Sequence, residues 1–306
     1  MIQAVNGAQR SGLSAALTTE DVPCGVCGQA ARRRLFTERY QLGDERVLLG
    51  INRCSRCGQV YVSPRLNRAS IDQVYRGDHQ HTISHNYCWS GQTSNKRFNP
   101  LLDHLVRLAP AGRLLDVGCG TGRFLEAAAA RARWQLAGID PCVAAATEAS
   151  QRLGVSVLPV SLEQTSFPPH EFAVITLLGV LEHLHHPLET LRTVHQLLRS
   201  DGMLAIYVPN FHYLRWKDAG PLAWLRRRRW SCLAPQEHLF HFTPRLLGQL
   251  LNRSGFELLR LDVGQPFLSG NRWRRWFKQS AFAATVQLHK CTGLHVGGLE
   301  AIARPR

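Results

Sequence analysis

Leu114-Leu115-Asp116-Val117-Gly118-Cys119-Gly120-Thr121-Gly122 is the stretch that decides how this chain folds. A short apolar run, Arg113 to Val117, meets glycines at alternating positions and then the alanine-rich segment Arg123 to Ala132, which reads as strand, tight turn and helix. Such a turn lets a ligand approach the backbone where a Cβ would block it, and the helix start offers N–H groups and a favourable dipole to an anionic group. A plain βα connection has the same look. The spacing sharpens the reading: it is G-x-G-x-G, with Arg123 standing where a dinucleotide fingerprint has its third glycine, so a pyrophosphate site is disfavoured. Asp140 closes the next apolar segment, 22 residues after Gly118, where a carboxylate can accept from both hydroxyls of a ribose. The alternative for Asp140 is an exposed strand end.

Outward from this loop, strand and helix signals alternate. Strands are expected at Arg113–Val117, Gln135–Ile139, Val155–Val160, Phe172–Leu178, Met203–Val208, Phe256–Val263 and Gly298–Ala303. Helices fall at about Pro100–Ala109 and Arg123–Ala132, from Pro141 at N1 to Gly154 as C-cap, from Pro187 to near Asp201-Gly202, and from a Thr243 cap to Gly255. This alternation predicts an α/β fold with a doubly wound, mostly parallel seven-stranded sheet and helices on both faces.

Cys24-x-x-Cys27 and Cys54-x-x-Cys57 are two knuckles separated by 26 residues, each followed by glycine, Gly28 or Gly58. Close spacing lets both thiolates of a knuckle face one ion, and two knuckles complete a closed tetrahedral shell, the pattern of structural zinc. A redox dithiol needs only one pair, whereas an iron–sulfur cluster is compatible with the same ligands. Nine cysteines in a chain without a secretory start argue for free thiols and a cytoplasmic location rather than a disulfide framework.

The organisation that follows is a flexible leader at 1–19, a zinc module at 20–64, linker and lid helices at 65–99, and an α/β domain at 100–306 interrupted by a basic aromatic insertion at 211–235. No apolar run approaches the roughly 20 residues of a transmembrane helix. Net charge is +15 over 306 residues, and Phe211 to Arg306 carries 16 Lys and Arg against 5 Asp and Glu. Trp216, Trp224 and Trp230 interleave with Lys217 and Arg226 to Arg229, and Trp273 to Lys278 repeats the mixture. It suits contact with a membrane surface or with nucleic acid, and equally a solvated basic lid over a pocket.

The run D-V-G-C-G-T-G, then G-I-D-P ending at Pro141, L-E-H-L-H-H-P at Leu181–Pro187 and L-L-R-S-D-G-M-L-A-I-Y-V-P-N at Leu197–Asn210 together resemble, in order, the signatures of class I S-adenosylmethionine-dependent methyltransferases. The resemblance runs from about Leu101 to Pro305 and implies a Rossmann-like domain that binds S-adenosylmethionine. It implies that Asp116, Gly118, Gly120 and Gly122 surround the methionine part, that Asp140 holds the ribose, and that Leu178, Gly179 and Val180 line the methyl-donor side. Ser161 stands where the family often has an Asp near the adenine amino group, leaving Leu162 to cover the ring. Ala173 likewise replaces a common Asp. The C-x-x-C-G module resembles the zinc ribbon that precedes the domain in a bacterial subgroup, and less closely the four-cysteine domain of some sugar C-methyltransferases.

Methyl transfer from a sulfonium is an in-line displacement in which alignment supplies much of the rate, and a base is needed only if the acceptor must lose a proton. His183, His238 and His241 follow strand ends on the ligand edge, and His238 is the candidate base. Capping and loop filling are the plainer roles, and Glu182 and His183 are expected to support the cofactor pocket. The expected activity is methyl transfer to a small-molecule, sugar or lipid-linked glycan acceptor. An RNA-modifying methyltransferase and a non-catalytic cofactor-binding scaffold are the alternatives.

Overall fold

Apolar residues of the central strands alternate between two faces, and that alternation sets the architecture. Leu115, Ile175, Leu177, Leu204 and Ile206 pack in one cluster, whereas Leu114, Val174, Met203 and Ala205 pack in another. A sheet buried on both sides needs helices on both. Leu191 and Val194 of helix Pro187–Leu197 and Leu247 and Leu250 of helix Pro244–Arg253 cover the first face. Helices Asn99–Leu108, Arg123–Ala129 and Val143–Leu153 cover the second through Leu102, Leu105, Phe124, Leu125 and Ala149.

The computed structural model describes residues 16–42, 45–76, 95–131, 133–219, 233–264, 283–289, 292 and 297–306. Its strands are β1 (Thr19–Glu20), β2 (Arg32–Leu42), β3 (Glu45–Cys54), β4 (Val60–Val62), β5 (Arg65–Leu66), β6 (Ala111–Val117), β7 (Arg133–Ile139), β8 (Val157–Leu158), β9 (Phe172–Leu178), β10 (Leu198–Val208), β11 (Phe240–His241), β12 (Phe256–Gly264) and β13 (Gly298–Pro305). The large sheet has the order β12-β13-β10-β9-β6-β7-β8. β10, β9, β6, β7 and β8 run parallel, and β13 is antiparallel to both its neighbours. From β6 the chain winds outward through β7 and β8, then returns to β9 and β10 on the other side, so strand order reverses between β6 and β9. Ligands of such sheets bind beyond the carboxyl ends at that reversal.

The expected α/β, Rossmann-like seven-stranded sheet is present, with local differences. The third strand is two residues, not six, because it is the sheet edge and pairs only with Gly138 and Ile139. Pro141 precedes its helix instead of opening it: Asp140 Oδ1 accepts from Cys142 N at 2.8 Å, and Val143 is the first helical residue. The helix from Pro187 stops at Leu197, short of Asp201-Gly202, since Leu198 already pairs with Phe172 in the sheet. The Thr243 cap and the Gly154 stop are as expected: Thr243 Oγ1 accepts from Leu246 N at 3.3 Å and Gly154 has φ 65°.

The cysteine knuckles flank a four-stranded antiparallel sheet, β11-β4-β3-β2, whose edge strand arrives from far along the chain. Val62 N donates to Leu239 O at 2.9 Å and Gln59 Nε2 to His241 O at 3.0 Å. The module assigned to 20–64 is therefore completed by residues of the following domain. The leader also ends earlier than Thr19: Leu17 is buried with its N–H on Glu45 Oε2, Thr18 N donates to Ser70 Oγ, and β1 pairs with β5. The insertion expected from Phe211 begins as helix Phe211–Ala219, with Phe211 buried in the cluster under the small sheet. The leader up to residue 15, the lid segment 77–94, the insertion core 220–232 and the Trp273–Lys278 repeat lie outside the described residues. Among the described residues, no helix is long and apolar enough to cross a membrane.

Candidate functional site

β6 and β7 are parallel neighbours with Val117 opposite Ile139, so the loop after β6 folds over the end of β7. Gly118 N and Cys119 N both donate to Ile139 O, at 2.8 and 3.0 Å. Gly120 N then donates to Asp140 Oδ2 at 2.8 Å, which puts the glycine loop and the Asp140 carboxylate at one rim of the sheet. The three loop glycines have φ of 70°, 53° and 77°, left-handed values that disfavour any side chain. Their surroundings differ. A Cβ on Gly118 would sit 2.5 Å from Val180 Cγ2, and one on Gly122 would meet Leu153 Cδ1 at 2.9 Å and Ala149 Cβ at 3.0 Å, whereas one on Gly120 would meet nothing within 4 Å. Gly118 and Gly122 thus serve close packing, and Gly120 borders open space.

Asp116 lies beneath the loop, 3% exposed, and accepts from Thr176 Oγ1 at 2.5 Å. Burial pushes its carboxyl up to about 7, against the pull of that hydroxyl. Burial also raises the Asp140 carboxyl, opposed by the N–H groups of Cys142 and Gly120. Each Asp140 oxygen accepts one backbone bond and keeps a further lone pair, so the pair of acceptors fits a ligand presenting two hydroxyls. Leu178 ends β9, next to β6 at the reversal of strand order; Gly179 follows with φ 80°, its N–H on Tyr207 O at 2.8 Å. Leu162 is buried in the cluster that contains Ile139, at the start of a single 3₁₀ turn, Leu162–Gln164, beyond β8. Ser161 turns its hydroxyl to Gln164 Oε1 at 3.1 Å.

The four cysteines converge at one end of the small sheet, where Arg32 at the start of β2 pairs with Cys54 at the end of β3. Cys24 Sγ lies 3.6 Å from Cys57 Sγ and Cys27 Sγ 3.4 Å from Cys54 Sγ, and all four sulfurs are within 4.8 Å of one another. Thiolates at about 2.3 Å from a tetrahedral ion are roughly 3.7 Å apart, so the spacing fits zinc. The two knuckles repeat one geometry: Gly28 N donates to Cys24 O and Gly58 N to Cys54 O, while Cys24 N and Cys54 N donate to Gln29 O and Gln59 O.

The histidines separate. His241 belongs to β11 in the small sheet and is buried, which lowers its ring to about 3. His183, in the 3₁₀ turn Leu181–His183 just beyond β9, directs Nδ1 to Glu237 O at 2.9 Å. His238 packs edge-on against it, ring centroids 4.8 Å apart. Burial lowers His238 to about 4, so the ring is neutral at physiological pH. Glu182 is buried beside them, 3.9 Å from His183 Nε2, and burial raises its carboxyl to about 8.

A family model described as a methyltransferase domain matches residues 94–261, more than half of the chain. The chain belongs to this methyltransferase family. Like its members it is of the class I, S-adenosylmethionine-dependent type. A ubiquinone biosynthesis O-methyltransferase of Actinobacillus pleuropneumoniae is 35% identical over 120 residues, 35% of this chain and 51% of that protein. A tRNA U34 carboxymethyltransferase of Cellvibrio japonicus is 32% identical over 124 residues, 37% of each. The methyltransferase thus spans about half, or less, of the length of these curated relatives. Among solved structures, the 1,6-didemethyltoxoflavin-N1-methyltransferase of Burkholderia thailandensis, with bound S-adenosylhomocysteine, shares the fold at TM-score 0.54 and 18% identity, covering 88% of this chain and 99% of that one.

Of the residues singled out from the methyltransferase sequence, Asp116, Gly118, Gly120, Gly122 and Asp140 come together, and Leu178 and Gly179 adjoin them across the β6–β9 boundary. The convergence of Glu182, His183 and His238 was not legible, because 54 residues separate His183 from its partner Glu237. Thr176, the donor to Asp116, also went unread: inside an apolar strand it looks like an ordinary β-former.

Proposed function

We propose that this methyltransferase transfers a methyl group from S-adenosylmethionine to a small-molecule, sugar or lipid-linked glycan acceptor. The observation that carries the reading is the Gly120 N to Asp140 Oδ2 bond at an open rim. In this assignment Asp116, Gly118, Gly120 and Gly122 form the turn around the methionine part, Asp140 takes the ribose hydroxyls, Leu162 flanks the adenine, and Leu178 and Gly179 border the methyl-donor side. His238 offers its neutral ring to the acceptor. The names of the ubiquinone O-methyltransferases favour a small-molecule acceptor. The tRNA enzyme's name and the net charge of +15 favour RNA as the second reading.

Calorimetric titration tests the cofactor assignment; absence of S-adenosylmethionine binding by folded protein would sink it. Radiolabelled methyl transfer into fractionated extract then separates the acceptors and also rules between an enzyme and a silent scaffold. An RNA acceptor requires filter binding that weakens steeply with salt, and salt-independent binding removes that reading.

We further propose that Cys24, Cys27, Cys54 and Cys57 hold one structural zinc, a closed shell with no catalytic position. Such a centre needs reduced thiols, which favours a cytoplasmic setting. Metal analysis of purified protein should give one zinc per chain at these cysteines, lost together with order in β2 to β4 when two of them are replaced by serine.

A further inference from the structure

We propose that Glu182, His183 and His238 form a second metal site, for a divalent first-row cation, beside the cofactor loop and separate from the four cysteines. One ligand atom from each lies within 4.8 Å of the other two. Glu182 and His183 come from the turn after β9, and His238 from the segment leading into β11. His183 Nδ1 donates to the Glu237 carbonyl, and its Nε2 lies 3.9 Å from Glu182 Oε1. A backbone carbonyl behind a metal-ligating imidazole is the usual way such a ring is oriented. Glu182 Oε2 and His238 Nδ1 are buried without a hydrogen-bond partner among the described residues. Most buried polar side-chain atoms are hydrogen-bonded, and each of these two can offer a lone pair to a cation.

Donors at roughly 2.1 Å from one ion lie about 3.0–3.4 Å apart, so the His183 Nε2 and Glu182 Oε1 pair, at 3.9 Å, closes with a contraction of under about 1 Å. Two imidazoles and one carboxylate suit zinc, manganese, iron or cobalt, and three protein ligands leave coordination positions open. Val180, two residues before Glu182, is the side chain against which Gly118 is pressed, so the cluster adjoins the loop assigned to the methyl donor.

This deepens the function proposed above and rests on it: an acceptor hydroxyl bound to the cation would lose its proton to water, and its oxygen would attack the methyl carbon. The carbon–oxygen bond forms as the carbon–sulfur bond breaks, and the sulfonium leaves as a neutral thioether. His238 then acts on the acceptor through the cation, in place of the direct role assigned to it above.

The test uses the full chain with its cysteines zinc-loaded and no methyl donor present. Manganese(II) is the probe, because it prefers nitrogen and oxygen to thiolate; its free concentration is followed by electron paramagnetic resonance. One manganese per chain is expected, with binding at least tenfold weaker in both Glu182→Gln and His238→Ala while zinc content is unchanged. Absence of saturable manganese binding by the wild type, or wild-type affinity in both variants, overturns the proposal. Cobalt(II) gives a readout without variants: added to the zinc-loaded wild type, it should produce ligand-field bands without thiolate charge transfer, and a spectrum showing only thiolate-bound cobalt also overturns it. S-adenosylmethionine titration of the same samples reports separately on the enzyme reading.

Discussion

Gly118→Ala and Gly120→Ala add the same methyl group to the same loop, yet they should fail in different ways. Both positions have left-handed φ, 70° and 53°, which costs a residue with a Cβ about 1–2 kcal/mol. At Gly118 the new carbon would also stand 2.5 Å from Val180 Cγ2, well inside carbon–carbon contact distance, and relieving that overlap costs about 1–3 kcal/mol more. Gly118→Ala should therefore lose about 2–5 kcal/mol of folding stability by the sum of those two ranges. Gly120→Ala meets no neighbour within 4 Å and should lose only the backbone part. Its methyl instead enters the space assigned to the cofactor, so its S-adenosylmethionine affinity should fall at least tenfold. Urea unfolding gives the first quantity and calorimetric titration the second. A Val180→Ala change should restore part of the Gly118→Ala loss, with a coupling on the order of 1 kcal/mol, and should do nothing for Gly120→Ala. Wild-type cofactor affinity in Gly120→Ala, or equal stability losses in the two variants with no rescue by Val180→Ala, would refute the reasoning.

Asp116 predicts a pH dependence. Its folded value, about 7, lies above the unfolded one, so its contribution is most favourable below about pH 4 and is lost as pH rises through 7. Unfolding free energies of wild type and Asp116→Asn, compared from pH 4 to 8, should diverge in favour of Asn by up to about 4 kcal/mol, and parallel curves would contradict this. Thr243→Ala removes the side-chain acceptor for Leu246 N and should cost about 1 kcal/mol with cofactor affinity unchanged. Removing the proposed zinc with a strong chelator should expose amides beyond the cysteine loops: hydrogen exchange should accelerate at Phe240 and His241 as well as in β3 and β4, because β4 is the one strand with which β11 pairs among the described residues. Exchange confined to residues 20–64 would show that the edge strand stands without the ribbon.

The central sheet was legible because its signals are local. Glycines at alternate positions after Arg113–Val117, the Asp that ends Gln135–Ile139, and the Thr243-Pro244 start each report on their own few residues. What escaped depended on distant segments. Leu198 abandons the helix because Phe172, 26 residues earlier, offers a pairing partner. Val155–Val160 has the composition of a full strand, but it lies at an edge where only two residues find partners. β11 is a two-residue strand with no pattern of its own, visible only from Tyr61 and Val60 opposite it. The Glu182, His183 and His238 cluster inherits that invisibility, since His238 is carried in by β11.

The same pairing would give the proposed zinc module a role that a detached module would not have. Gly25, inside the first knuckle, is packed so closely that a Cβ there would meet Phe240 Cζ at 2.8 Å. Arg253, at the end of helix Pro244–Arg253, donates to Val26 O at 3.0 Å, and Arg65 donates to His185 O at 3.2 Å, two residues beyond His183. The knuckle is thus tied to both segments that carry the Glu182–His183–His238 cluster: to the first through His185 and to the second through Phe240. Ordering the cysteine loops fixes Phe240, Phe240 fixes the end of the segment holding His238, and His183 is held against that segment by Glu237 O. A metal confined to the thiolates would then set the spacing of polar groups next to the cofactor loop without touching substrate. On that proposal a coordinatively saturated site would matter for chemistry at a distance. It also requires that the chelator-induced exchange at Phe240 and His241 be accompanied by weaker manganese binding; manganese affinity unaltered by zinc loss would break the link.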